Sequence, residues 1–256
     1  MENFIKNLAK GAGAILKNGY GKRLKISSKS AWWDLVTQYD LLADEFVINK
    51  IKARFPSHGI LSEESGLSAT RKNFWVIDPL DGTYAFARNL GGQFAVSIAF
   101  VSANQIKLAA VYAPVLNEFF FAKLRQGAFL NGKKISITNS RDNVELCSAA
   151  MVMGTMKTTR PERTMMYRNV VKYRLWLSRM ESIALSEAYA AAGRYDLVMS
   201  KNLNPWDYAA GALILAEAGA RVTDFSGRPY RWNSGSIVAA NPKLHKFVIK
   251  NFKLPK

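Results

Sequence analysis

The stretch NFWVIDPLDGTYAF, residues 73–86, runs four apolar residues into Asp78, Pro79, Leu80, Asp81, Gly82 and Thr83. Two carboxylates at the end of an apolar strand need a partner. Other acids stand in comparable places: GILSEESG brings Glu63 and Glu64 after a short apolar run, DLVTQYD carries Asp34 and Asp40, and PWDYAAG puts Asp207 at a helix start. Carboxylate and carbonyl oxygens without imidazole or thiolate suit hard cations, Mg²⁺ above all, which takes a few carboxylates and completes its shell with water and phosphate. Gly82 lets a backbone approach an anion closely, so the N–H groups of Gly82 and Thr83 suit a phosphate, and the Thr83 hydroxyl suits a water. Each acid alone also fits ordinary turn or capping chemistry. Turn chemistry does not explain their coincidence in a chain with only 19 Asp and Glu among 256 residues.

The remaining composition narrows the choice. At 49% hydrophobic and 21% charged residues the chain is globular, with length for one large domain or two closely packed halves. One cysteine, Cys147, excludes an internal disulfide and a thiolate cluster, and reads as a small buried apolar residue. No run is apolar enough for a membrane span, and the N-terminus lacks a signal-peptide pattern, so a cytoplasmic location is expected. The net charge of +17 attracts anions of every kind, including sugar phosphates, nucleotides and nucleic acid. No zinc-finger, RNP or KH signature accompanies that charge.

The elements that must position these residues follow from hydrophobic period and punctuation. Phe4, Ile5, Leu8, Ala12, Ile15 and Leu16 predict an amphipathic helix over Glu2 to about Asn18. Residues 34–55 predict a second, with Leu35, Leu42, Phe46, Ile51 and Phe55 on its buried face and Pro56 as its stop. FWVIDPL is a buried strand, 93–102 and 106–124 are antiparallel strands, and 127–135 is a hairpin turning at Asn131-Gly132. Beyond a division near Ser140 come a strand at 149–153, a helix over 160–177, and a helix over 182–193 closed by Gly193. A further helix has Asn204 as N-cap and Pro205 at its first position, and RVTDFSGRPY is strand, turn and strand. Irregular alternation with consecutive antiparallel strands predicts layered α/β or α+β packing rather than a regular doubly wound sheet. The division separates residues 1–139, with most of the candidate acids, from residues 140–256, which complete the site within one compact unit.

In order and spacing, DLVTQYD, SEES, DPLDGT and PWDYAAGALILAEAGARVTDFSG resemble the inositol monophosphatase family of Mg²⁺-dependent, Li⁺-sensitive phosphatases, from about Lys29 to Asn241. The resemblance implies a layered αβαβα sandwich of the inositol monophosphatase / fructose-1,6-bisphosphatase type. It implies two or three Mg²⁺ per site: Glu63, Asp78 and the Leu80 carbonyl on the first, and Asp78, Asp81 and Asp207 on the second. Thr83 with Glu63, and Asp40 beside them, would handle the attacking water, while Gly82, Thr83, Ser182 and Asp207 would meet phosphate or substrate. Asp34 and Thr37 would brace a loop carrying Lys29 over the site. A homodimer is also implied, with Phe119–Phe121 open to a contact reading or a sheet-core reading.

Three positions depart from the family pattern: Ala85, Glu181 before Ser182, and Ser200 followed by Lys201, where inositol-specific members carry a Glu. Loss of a hydroxyl acceptor beside gain of a cation favours a more anionic substrate. Inositol 1-phosphate is the default, with fructose 1,6-bisphosphate, 3′-phosphoadenosine 5′-phosphate, NADP and histidinol phosphate as alternatives. Arg88, Arg179 and Arg194 are further candidate anion contacts. A different class also stands: a regulator on this scaffold that binds RNA or the transcription machinery through the basic surface.

Overall fold

The structure is a computed structural model and describes residues 1–29, 34–68, 72–138, 144–153 and 159–252. The proposed division between residues 139 and 140 lies outside the described residues. Among those described, the chain runs α1 (Glu2–Gly19), β1 (Ile26–Ser28), β2 (Leu35–Thr37), α2 (Gln38–Arg54), β3 (Gly59–Ser62), β4 (Gly66–Leu67), β5 (Asn73–Asp81) and α3 (Thr83–Ala87). Next come the antiparallel β6 (Ala95–Ser102), β7 (Gln105–Ala113), β8 (Glu118–Lys123), β9 (Gly127–Leu130) and β10 (Lys133–Ile135). The rest is β11 (Ser148–Met153), α4 (Arg160–Lys172), β12 (Trp176–Ser178), α5 (Ile183–Ala191), β13 (Leu197–Lys201), α6 (Pro205–Glu217), β14 (Arg221–Thr223), β15 (Ser236–Ala240) and α7 (Pro242–Asn251).

Two sheets carry these elements. The larger has order β10-β9-β8-β7-β6-β5-β3-β4, the smaller β12-β11-β13-β15-β14, and β1 and β2 pair apart. Helices α1 and α2 pack on one face of the larger sheet through Ile5, Leu8, Val47 and Ile51 against Trp75, Ile77 and Ile98. Helices α5 and α6 fill the space between the sheets, where Ala184, Ala188, Leu213 and Ile214 join Val76 and Val111 from one sheet to Val198 and Ala239 from the other. Helices α4 and α7 cover the outer face of the smaller sheet through Met166, Val170, Leu244 and Val248. The order is therefore α, β, α, β, α. Strands with helices on both faces need apolar residues on both, so β6 is buried along all but its last residue.

The hairpin at Asn131-Gly132 is as expected, with both residues at positive φ, 48° and 81°. Asn204 and Pro205 open α6 as the sequence indicates. Cys147 is buried. Phe119, Phe120 and Phe121 are all buried, as the sheet-core reading has it.

The second helix departs from expectation in two ways. Residues Leu35–Thr37 pair with β1 as a strand, and the helix starts only at Gln38, where Thr37 and Asp40 close a capping box. Its buried face is Asp40, Ala43, Asp44, Val47 and Ile51, while Leu42 is exposed. Hydrophobic period misplaces that face because two of its positions are carboxylates, drawn inward by hydroxyl donors from Thr37, Thr83, Ser62 and Ser65. Similarly, the helix expected over 160–177 ends at Lys172, and Trp176–Ser178 joins β11 as a parallel edge strand. Strand β13, strand β15 and helix α7 went unread in the sequence.

Candidate active site

The site forms where β5 ends against α5 and α6. Strand β5 pairs residue for residue with β6 up to Asp78 opposite Ser97, and the next pair is Asp81 opposite Ala95. Three steps on β5 against two on β6 make a bulge, located at Pro79, which has no N–H to give the ladder. The Asp78 carboxylate turns back to accept from Leu80 N–H at 3.0 Å. Asp81 is held from the other side: Ser182 Oγ donates to its Oδ2 at 2.5 Å and Ala184 N–H at 2.7 Å, at the start of α5. Gly82 follows at φ 91°, and a Cβ there would lie 2.8 Å from the Gln93 carbonyl oxygen and 3.3 Å from Ser182 Cβ. Only glycine fits that turn without displacing backbone.

Thr83 links this turn to α2. Its hydroxyl lies 3.0 Å from Asp40 Oδ1 and 3.1 Å from the Leu80 carbonyl oxygen. Asp40 also accepts from Thr37 N–H at 2.8 Å and Thr37 Oγ1 at 2.5 Å, so a continuous chain runs Thr37, Asp40, Thr83, Leu80. Burial raises the Asp40 pKa, and the bonds from Thr37 and Thr83 oppose that rise. Glu63 follows β3, with its N–H bonded to the Ile77 carbonyl at 3.1 Å. Lys29 donates to Glu63 Oε1 at 2.9 Å and Glu64 Oε1 at 2.5 Å, and the Lys29 N–H bonds the Asp34 carbonyl at 2.8 Å. Burial works against the Lys29 charge, yet Glu63 and Glu64 hold its pKa well above the ordinary lysine range. Asp207 caps α6, accepting from Asn204 N–H at 2.7 Å.

The electrostatics mark a gathering of like charges. Burial pushes the Asp78 pKa well above the carboxylate range, and Glu63, Asp81 and Asp207 push it further. Asp81 is raised by burial to about 7, even with donors from Ser182, Ala184 and Ile183 opposing the rise. Among the described residues, no group of three or more His, Cys, Asp or Glu side chains stands ready to hold a metal ion. Glu63 is held by Lys29 and by a side-chain hydrogen bond with Asp78, and one oxygen of Asp81 is taken by Ser182 and Ala184. The donor set still fits a hard cation, because Asp78 is 2% exposed and its leading influences are burial and the carboxylates facing it.

The profile of the inositol monophosphatase family matches residues 1–254. The chain belongs to that family. It is 33% identical to the fructose-1,6-bisphosphatase/inositol-1-monophosphatase of Thermotoga maritima, over 97% of this chain and 94% of that protein. It is 37% identical to the Nus factor SuhB of Escherichia coli, over 99% of this chain and 96% of that protein. Among solved structures, the extragenic suppressor protein suhB of Bartonella henselae superposes with a TM-score of 0.91 at 32% identity, covering 98% and 97% of the two chains. Membership supports a metal-dependent phosphatase scaffold and a phosphorylated small molecule as substrate class.

Several sequence expectations meet different partners. The cation gained at Lys201 is not free for substrate, because its Nζ is paired with Glu162. Arg194 is bound to Glu118, Arg179 lies 3.8 Å from Glu181, and Arg88 stacks on the exposed Tyr84 ring. Ser182 has its hydroxyl on Asp81 and accepts from Leu185 N–H at 3.1 Å. Two buried groups near the site escaped notice in the sequence. Asp44 ties Ser62 and Ser65 together behind Glu63, and Glu187 lies within α5. A lone acid inside the apolar run IALSEAYAA was the available signal for the second.

Proposed function

We propose that this chain is a Mg²⁺-dependent phosphomonoesterase that hydrolyses a small phosphorylated metabolite, with inositol 1-phosphate as the default substrate. The observation that carries the reading is the burial of Asp78 and Asp81 at one bulge, in mutual repulsion with Glu63 and Asp207. Glu63, Asp78, the Leu80 carbonyl, Asp81 and Asp207 would hold two or three Mg²⁺. When bound, the cations supply Lewis-acid stabilisation of phosphoryl oxygens and a low-pKa water. Thr83, fixed between Asp40 and the Leu80 carbonyl, would with Glu63 orient the attacking water. Gly82 and Thr83 would present backbone N–H groups to the phosphate, and the Gly82 turn is what allows close approach. Lys29, Asp34 and Thr37 would brace the entry. Substrate would then be positioned for in-line displacement with little covalent work by the protein.

The substrate alternatives rest on Ala85, Glu181 and Ser200. The pairing of Lys201 with Glu162 weakens the case for a strongly anionic second group and favours a monophosphate. A cytoplasmic homodimer of two intimately packed halves, residues 1–139 and 140–256, completes this reading; no described helix is long and apolar enough to cross a membrane. The test is phosphate release from a panel of phosphomonoesters with Mg²⁺, with EDTA, and by Asp81→Asn. Metal-dependent release lost in the variant supports the reading, and silence from folded wild type across the panel rejects it. A second reading, an RNA or transcription-machinery regulator, is favoured by the +17 charge and by the full-length likeness to proteins named Nus factor SuhB. Salt-sensitive RNA binding that survives Asp81→Asn would support it.

A further inference from the structure

Glu187 presents an unbalanced account of charge. It is fully buried on α5, and neither carboxylate oxygen has a hydrogen-bond partner. Leaving a buried carboxylate unpaired is costly, and a chain of this composition had every apolar alternative. The neighbouring helix is shaped around it. A Cβ at Gly211 of α6 would lie 1.8 Å from Glu187 Oε2 and 2.6 Å from its Cβ, so the absence of a side chain at Gly211 makes the space this carboxylate fills. Glycine inside a helix costs about 1 kcal/mol relative to alanine. Two unfavourable choices thus serve one group.

The position of that group gives the reason. Gly211 lies one turn beyond Asp207 on α6, and Glu187 lies about one turn beyond Ala184, whose N–H holds Asp81. Glu187 therefore stands behind both acids, and its leading electrostatic neighbours are Asp81 and Asp207. Ser200, whose buried hydroxyl also lacks a partner, sits on β13 in register alternation with Val198, on the face packed against α5 and α6. Burial, Asp81 and Asp207 all hold the Glu187 pKa above the ordinary carboxylate range. Alone, the carboxyl keeps its proton, and a cation beside Asp81 and Asp207 would favour its ionised form.

We propose that Glu187 is a positioning residue of the cation centre: its carboxylate, seated against Gly211 behind Asp81 and Asp207, strengthens divalent cation binding without touching the ion. The inference rests on the cation reading given above. Its test is calorimetric titration of substrate-free protein with Mg²⁺ and Mn²⁺, comparing wild type, Glu187→Gln and Glu187→Leu, with denaturant unfolding in EDTA alongside. Both variants should bind cation about tenfold more weakly, the scale of one buried charge acting at a distance. The leucine variant should unfold at higher denaturant when metal-free, because an unpaired buried acid has gone. Gln keeps the shape of Glu, so a purely space-filling role leaves its cation affinity at the wild-type value, and that result overturns the proposal. Should leucine not fold, the Gln variant decides alone. Wild type that binds neither cation rejects the cation reading itself, whereas wild-type affinity in both variants rejects only the role of Glu187.

Discussion

Asp78 and Asp81 lie three residues apart on β5 yet face the same side, opposite Ser97 and Ala95 of β6. In a regular strand an odd separation puts side chains on opposite faces. The extra residue at the Pro79 bulge restores the parity, so both carboxylates point toward α5 and α6 instead of one being lost among Trp75 and Ile77. The acid pair is therefore made by a local defect in the ladder.

Replacing Asp81 by Asn tests what that arrangement costs. Phosphatase activity should fall by about a thousandfold or more, the scale for losing a metal ligand. The metal-free variant should be more stable than wild type at pH 8. Asp81 keeps its proton to about 7 in the folded chain against 3.8 as the ordinary value, so between these limits the folded state binds more protons. Wild-type stability from this group thus falls as pH rises through that window, and the advantage of the variant should shrink toward pH 4. Urea midpoints in EDTA from pH 4 to 8 measure the difference.

Lys29→Met should tighten cation binding in the absence of substrate. The lysine bridges Glu63 and Glu64 from a partly exposed position, and ion pairs of that kind are worth about 0.2–1 kcal/mol. Releasing Glu63 should therefore improve Mg²⁺ affinity by about two- to fivefold, read by calorimetry. An unchanged affinity would separate Glu63 from the cation centre.

Gly82→Ala should cost about 1–3 kcal/mol of stability, because φ of 91° strains any side chain. The Gln93 carbonyl oxygen 2.8 Å away is backbone and cannot step aside as a flexible side chain could. Denaturant unfolding reads the loss, and activity should fall more steeply than stability if Gly82 also approaches the phosphate.

Far from the site, His245 predicts acid sensitivity. Its Nε2 lies 2.8 Å from Thr223 Oγ1, and burial with Arg221 nearby lowers its pKa to about 4. The neutral ring is the stable form, so its contribution is fully present above pH 6.5 and is lost as pH falls toward 4. His245→Gln should flatten that limb of the stability profile, measured as the difference in melting temperature from wild type between pH 4 and 7.

By itself the sequence marked the acids, the Asp81-Gly82-Thr83 turn and most elements. Asp78, Asp81, Glu63 and Asp207 were legible because acids at the ends of apolar runs break hydrophobic periodicity, and Asn131-Gly132 and Asn204-Pro205 because turn and cap chemistry is local. What depends on distant partners was not legible. The buried face of α2 was misread because Asp40 and Asp44 are turned inward by Thr83, Ser62 and Ser65, contacts set by the fold rather than by period. Lys201 reads as a free cation in the sequence, and only the fold sets Glu162, 39 residues away, beside it. Glu187 stood unmarked within the helix expected over 182–193, and its seat against Gly211 exists only where α5 and α6 pack. Only tertiary structure decides which charges meet, because a charge acts through space on whatever packing brings near, and spacing along the chain does not record that distance.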